Sequence, residues 1–214
     1  MEFTAIVIAG GISSRMGTNK AELKFGGHSL MERTVHMLAT ITSHVLIVAN
    51  NATPYQELGY RIISDEFPGK GPLAGIHAGL MASTTTWNLI LACDMPFVLA
   101  PHIKTLITYT ERVTDVSPIV EGRGYDAVFP VSAEGNELPL LAMYRRELSV
   151  DLAHRLAEDN LRVMNWTRGL YHAEIKVEDM VKGTEVSSDL LAFNMNYPED
   201  YERAAAIYNK NEFA

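Results

Sequence analysis

Phe3-Thr4-Ala5-Ile6-Val7-Ile8-Ala9-Gly10-Gly11-Ile12-Ser13-Ser14-Arg15-Met16-Gly17-Thr18-Asn19-Lys20 is the stretch on which the fold turns. Phe3 to Ile8 is rich in β-branched and large apolar residues, the pattern of a strand buried on both faces. It opens directly into a loop with glycines, hydroxyls and two cations. Gly10 and Gly11 allow close approach of the backbone, whose N–H groups can face phosphate oxygens, while Arg15 and Lys20 offset negative charge. A polyphosphate cradle fits these residues, and so does a tight strand-to-helix turn with solvated cations. The spacing is neither the GxxxxGK[ST] of a P-loop nor the GxGxxG of dinucleotide binders.

Outward from the loop, strand and helix signals alternate. Leu30 to Ile41 carries Met31, Val35 and Leu38 at helical spacing. His44 to Ala49 predicts a second strand ending at Asn50, and Arg61 to Ser64 a third ending at Asp65. Pro72 and Gly75 suit the first turns of a helix reaching Met81. Trp87 to Cys93 predicts a buried strand that delivers Asp94 to its carboxyl end, with a helix from Pro101 to Tyr109 behind it. Such alternation predicts a parallel sheet with right-handed crossovers. The second half is less regular: strands at Tyr125 to Val131, Leu140 to Tyr144 and His172 to Val177, helices at Glu147 to Glu158 and Leu161 to Leu170, and a last helix after Pro198.

Composition narrows the function classes. The 214 residues suit one domain, 1–214, and the 47% apolar and 21% charged fractions are those of an ordinary globular protein. A formal charge of −8 argues against nucleic acid or an anionic membrane as partner, so an anionic substrate needs a locally basic pocket. One cysteine, Cys93, excludes an intrachain disulfide and suits a reducing compartment. No leader pattern precedes the first strand, and no apolar run reaches the roughly 20 residues that cross a bilayer. A cytoplasmic location is the expectation.

In open α/β sheets ligands bind beyond the carboxyl ends of the strands, near the reversal of strand order. The glycine loop, Asn50, Asp65 and Asp94 all follow predicted strands. Asp94, held between a buried strand and a proline, is placed to hold Mg²⁺, which takes one or two carboxylates and completes its shell with water and phosphate. An Asx cap on the turn before Pro96 is the competing use. Asn194 and Asn196 alternate after the apolar stretch Leu190 to Phe193, which projects both on one face. They suit an acceptor site or the metal shell, or else only the start of a helix. Cys93 reads as a core residue, and the seven histidines show no HExxH or other close ligand spacing.

Taken together, these stretches resemble the molybdenum-cofactor guanylyltransferase family of nucleotidyltransferases. The resemblance is carried by Ile8-Ala9-Gly10-Gly11 with Ser13, Ser14, Arg15, Met16, Gly17 and Lys20, by Asp65 with Pro68 and Gly69, and by Gly71-Pro72-Leu73-Ala74-Gly75-Ile76. Asp94-Met95-Pro96, Pro139-Leu140 and the terminal Asn194-Met195-Asn196 with Pro198-Glu199-Asp200 complete it. Ile8 stands where leucine is usual and Tyr197 where threonine is usual.

The resemblance implies a three-layer α/β fold with a mostly parallel, Rossmann-like sheet of the nucleotide-diphospho-sugar transferase type. Its N-terminal half would bind nucleotide and its C-terminal half the acceptor. It implies nucleotide contacts from Ile8, Ala9, Gly10 and Gly11, phosphate contacts from Arg15 and Lys20, guanine and ribose contacts from Asn50 and Asp65, and Mg²⁺ on Asp94. Asn194 and Asn196 fall on the acceptor side. The implied reaction transfers GMP from GTP to the terminal phosphate of molybdopterin, with pyrophosphate leaving. A relative using CTP or another NTP, with molybdopterin or a sugar phosphate, and a nucleotide-binding regulator without transfer activity are the alternatives. Transient contact with molybdopterin-delivering or molybdoenzyme-maturation proteins is a further expectation of the resemblance.

Overall fold

The computed structural model describes residues 1–9, 23–25, 27–116 and 124–211. Its strands are β1 (Phe3–Ile8), β2 (Lys24–Phe25), β3 (His28–Ser29), β4 (Val45–Val48), β5 (Arg61–Ile63), β6 (Trp87–Ala92), β7 (Ala127–Val131), β8 (Leu141–Arg145) and β9 (His172–Lys176). Its α-helices are α1 (Leu30–Ala39), α2 (Pro72–Ala82), α3 (Ala100–Val116), α4 (Leu148–Ala157), α5 (Val163–Thr167), α6 (Val177–Met180), α7 (Ser188–Leu191) and α8 (Pro198–Asn211). A 3-10 turn spans Thr53–Leu58. The predicted ten-residue helix over 161–170 is only five residues long.

Seven strands form one sheet in the order β5-β4-β1-β6-β8-β7-β9, and β2 pairs with β3 in a separate ribbon. β1 runs parallel to both β4 and β6, and β4 runs parallel to β5. β8 is antiparallel to both its neighbours, β6 and β7, while β7 and β9 are parallel. The sheet is therefore mostly parallel with one reversed strand. Succession from β1 goes first to β4 and β5 on one side, then returns to β6 on the other. That reversal puts the topological switch between the carboxyl ends of β1 and β6.

Every residue of β1 is buried because the sheet is covered on both sides. Phe3, Ala5 and Val7 pack into one apolar cluster with residues of α1 and α3, whereas Ile6 and Ile8 pack into the other with residues of α2 and α4. This is why the strand reads as a continuous apolar run and not as an alternating one. α2 has the same cause at helical scale, with residues 73–80 buried all round. Its start is set by Gly71, at φ 72° and ψ −158°, a backbone conformation that glycine adopts without strain, immediately before Pro72.

α2 lies close on β1 through two glycines one helical turn apart. A Cβ on Gly75 would meet Ile8 Cγ2 at 3.1 Å, and one on Gly79 would meet Ile6 Cγ2 at 2.4 Å. The pairing of later helix residue with earlier strand residue shows that the helix runs back along the strand. Its amino end thus sits at the carboxyl end of the sheet.

Candidate functional site

Four strand ends form the floor of the site. Ile8 and Ala92 are register partners, and Cys93 N–H donates to the Ile8 carbonyl at 3.1 Å. Ala9 N–H donates to the Val48 carbonyl and Ala49 N–H to the Ile63 carbonyl, each at 2.9 Å. Pairing therefore continues to the last residue of each strand, and Ala9, Asn50, Asp65 and Asp94 leave the sheet along one edge. The Ile8 side chain is buried against Gly75 of α2, and its carbonyl is committed to Cys93. Gly10, Gly11, Arg15 and Lys20 lie outside the described residues.

Asn50 and Asp65 are joined directly. Asn50 Nδ2 donates to Asp65 Oδ2 at 2.7 Å, and Asp65 N–H donates back to Asn50 Oδ1 at 3.1 Å. Asp65 Oδ1 also accepts from Phe67 N–H at 3.1 Å. The pair fixes the carboxylate and shapes the loop that leads into α2. His77, in the second turn of α2, is buried with its ring edge-on to Phe67 at 5.4 Å between centroids. Burial lowers its pKa, against the opposing pull of Glu66, and its Nδ1 has no hydrogen-bond partner among the described residues.

Asp94 is half-buried just past β6. Its backbone carbonyl accepts Met195 N–H at 3.0 Å, which staples the C-terminal segment to the sheet edge. Met195 is fully buried while Asn194 and Asn196 on either side are exposed, the alternation expected of an extended stretch. Asp200 holds the bend after them, its Oδ2 accepting the N–H groups of Asn196 (2.7 Å) and Tyr197 (2.8 Å) at the start of α8. Asp200 thus serves as a helix-start residue, and the two asparagines keep to the cleft. Tyr197 is half exposed.

Asp94, Asn194, Asn196, Glu137, Pro139 and Leu140 line a cleft of about 250 Å³. Two carboxylates, Asp94 and Glu137, with the amide oxygens of Asn194 and Asn196 give an all-oxygen donor set that suits Mg²⁺, of which Asp94 alone stands at the strand end, with most of the shell left to water and phosphate. Asp65 and Asp94 stand at the ends of strands separated by two others, about 14 Å apart at normal strand spacing. A nucleoside triphosphate has the length to span them. The sequence did not single out Glu137, whose only local signal is a charge two residues before Pro139-Leu140. Nor did it single out the anchoring role of Met195, an apolar residue between two asparagines.

Residues 5–173 match the MobA-like NTP transferase domain. The chain is 32% identical over 204 residues to a probable molybdenum cofactor guanylyltransferase of Peptoclostridium acidaminophilum, covering 95% of this chain and 89% of the relative. It is 32% identical over 208 residues to the molybdenum cofactor guanylyltransferase of Desulfosudis oleivorans, covering 95% and 94%. Among solved structures, the molybdopterin-guanine dinucleotide biosynthesis protein A of Archaeoglobus fulgidus superposes with a TM-score of 0.77 at 25% identity, covering 97% of this chain and 99% of that one. The 2-C-methyl-D-erythritol 4-phosphate cytidylyltransferase of Thermus thermophilus shares the fold, with a TM-score of 0.66 at 19% identity and 98% and 100% coverage.

Proposed function

The chain belongs to the MobA-like nucleotidyltransferase family, and from that premise we propose that it transfers GMP from GTP to the terminal phosphate of molybdopterin, releasing pyrophosphate. The observation that carries this reading is the placement of Asp94. It stands past β6 beside the switch point between β1 and β6, and lines a cleft together with Asn194 and Asn196, whose segment is bonded to it through Met195 N–H. In this reading the triphosphate lies along the strand ends from Asp65 to Asp94, and the acceptor enters the cleft that Asp94 lines with Asn194 and Asn196.

In the proposed reaction an oxygen of the acceptor phosphate forms a bond to the α-phosphorus of GTP. The bond from that phosphorus to the bridging oxygen of the β-phosphate breaks, and pyrophosphate leaves. The acceptor phosphate is ionised at neutral pH, so no protein base is required, and the barrier lies in bringing two polyanions together and in charge on the leaving group. Mg²⁺ held by Asp94 would supply Lewis-acid stabilisation of that charge. Ala9, its N–H held by the Val48 carbonyl, leads the chain from β1 towards the nucleotide. The N–H groups of Gly10 and Gly11 would serve the phosphates, and Arg15 and Lys20 would neutralise them. The paired Asn50 and Asp65 meet the guanosine end, and Asn194 and Asn196 orient the acceptor.

The test is to incubate the protein with Mg²⁺, molybdopterin and each NTP in turn and to measure pyrophosphate. Release with GTP alone is the expected result. Release with CTP would move the chain to cytidylyl transfer, and GTP binding without product under any acceptor would leave it a nucleotide-binding regulator.

A further inference from the structure

On the face of the sheet opposite α1 and α3, one imidazole and two carboxylates converge. We propose that Glu137, His172 and Glu174 form a second divalent-metal site, of the Zn²⁺ class, separate from Asp94. One ligand atom from each of the three lies within 4.8 Å of the others. His172 and Glu174 stand two apart on β9 and so share a face, while Glu137 reaches them from the segment between β7 and β8, bridged to Val131.

The hydrogen bonding around these groups is what favours an ion. His172 Nδ1 is 3.0 Å from the Leu170 carbonyl, which accepts only if Nδ1 carries the proton. In the neutral ring Nε2 is then a lone pair, and it faces Glu174 Oε1 at 3.6 Å, too long for a hydrogen bond. A backbone carbonyl on the far nitrogen is the usual support of a metal-bound histidine. Glu137 Oε2 is buried and has no hydrogen-bond partner among the described residues. The nearby Tyr144 hydroxyl cannot serve it, because it donates to the Pro139 carbonyl at 2.8 Å. A buried carboxylate oxygen without a donor is costly, and a cation removes that cost.

One imidazole with two carboxylates suits a borderline transition ion, whereas Mg²⁺ keeps to oxygen. Donors around a tetrahedral ion lie about 3.4 Å apart at normal bond lengths, so a modest side-chain adjustment closes the site. Glu174, with 57% of its side chain exposed, is free to make it. An ion there ties the segment carrying Pro139 and Leu140, one wall of the acceptor cleft, to β9.

Calorimetric titration of the full chain with Zn²⁺, in Mg²⁺ sufficient to saturate Asp94, tests the proposal. The expected result is one equivalent of Zn²⁺ bound, accompanied by a rise in melting temperature. His172→Gln, Glu174→Gln and Glu137→Gln should each weaken binding by at least about tenfold. Glu174→Gln changes a largely exposed side chain, so a folding defect does not confound it, and circular dichroism checks the other two. Absence of Zn²⁺ binding, or binding unchanged in both His172→Gln and Glu174→Gln, overturns the site. Neither result bears on guanylyl transfer at Asp94.

Discussion

Asp94 is held by its backbone, through the carbonyl that accepts Met195 N–H, while its side chain borders the cleft. Replacing the carboxylate by the isosteric amide preserves that anchoring and removes the charge. Asp94→Asn is therefore expected to lower pyrophosphate release by about 10²-fold or more at saturating Mg²⁺ while leaving the thermal melt unchanged. Near-normal turnover would remove Asp94 from the metal role. His102 makes a different prediction. Burial holds its pKa at about 4, and its Nδ1 accepts Leu99 N–H at 3.0 Å while Nε2 meets Thr184 Oγ1 at 3.1 Å. The folded pKa lies below the unfolded value near 6.5, so between the two the unfolded chain binds the proton and the folded chain does not. Stability should fall as pH drops from about 6.5 towards 4, by up to about 3 kcal/mol from this group, with no further loss below that window. Urea melts across the window read this directly, and His102→Gln should flatten the dependence. An unchanged slope would refute the assignment.

At the scale of elements, the contact between α2 and β1 is the one that orients the site. Gly75 and Gly79 let the helix settle on Ile8 and Ile6, bringing the loop from Asp65 to Gly71 over the strand ends. Gly79→Ala puts a methyl group 2.4 Å from Ile6 Cγ2, on a β-branched side chain of a central strand that cannot swing aside. A loss of about 1–3 kcal/mol is expected in denaturant unfolding, with weaker GTP binding where the helix start shifts. A neutral Gly79→Ala would show that the helix has room to move. Periodicity served these elements unequally. Trp87 to Cys93 is legible because burial on both faces writes itself into a strand as unbroken apolar sequence, and α2 because Pro72 and Gly75 mark its first turns. Val163, Met164 and Trp166 predict a helix over 161–170, yet only Val163–Thr167 is helical, with Leu161 and Leu170 packed on the core from either side of it. Their burial comes from the packing of flanking turns, which periodicity does not distinguish from a helix face.

The described residues build one seven-stranded sheet with an apolar cluster on each side, beside the small β2–β3 ribbon. The two tryptophans report on opposite sides: Trp87 belongs to the cluster with α1 and α3, and Trp166 to the cluster with α2 and α4. If residues 1–214 fold as one unit, then in each variant keeping only one tryptophan the urea midpoint read by that tryptophan's fluorescence should coincide with the midpoint of its own far-ultraviolet circular dichroism. A fluorescence midpoint separated from the circular dichroism midpoint within one variant would divide the chain into two cooperative units. The sequence by itself determined the alternation of buried strands and helices, the end of β1 at Ile8, and the placing of Asn50, Asp65 and Asp94 after strands. Those are local consequences of burial and turn chemistry, written in neighbouring residues. Only the tertiary structure decided that β8 enters the sheet reversed and that Asn50 and Asp65 bond to one another. It alone brings Met195 to Asp94 and joins Glu137 to His172 and Glu174. These depend on which distant segments pair and in what direction, and a strand's composition records that it is buried without recording its partner.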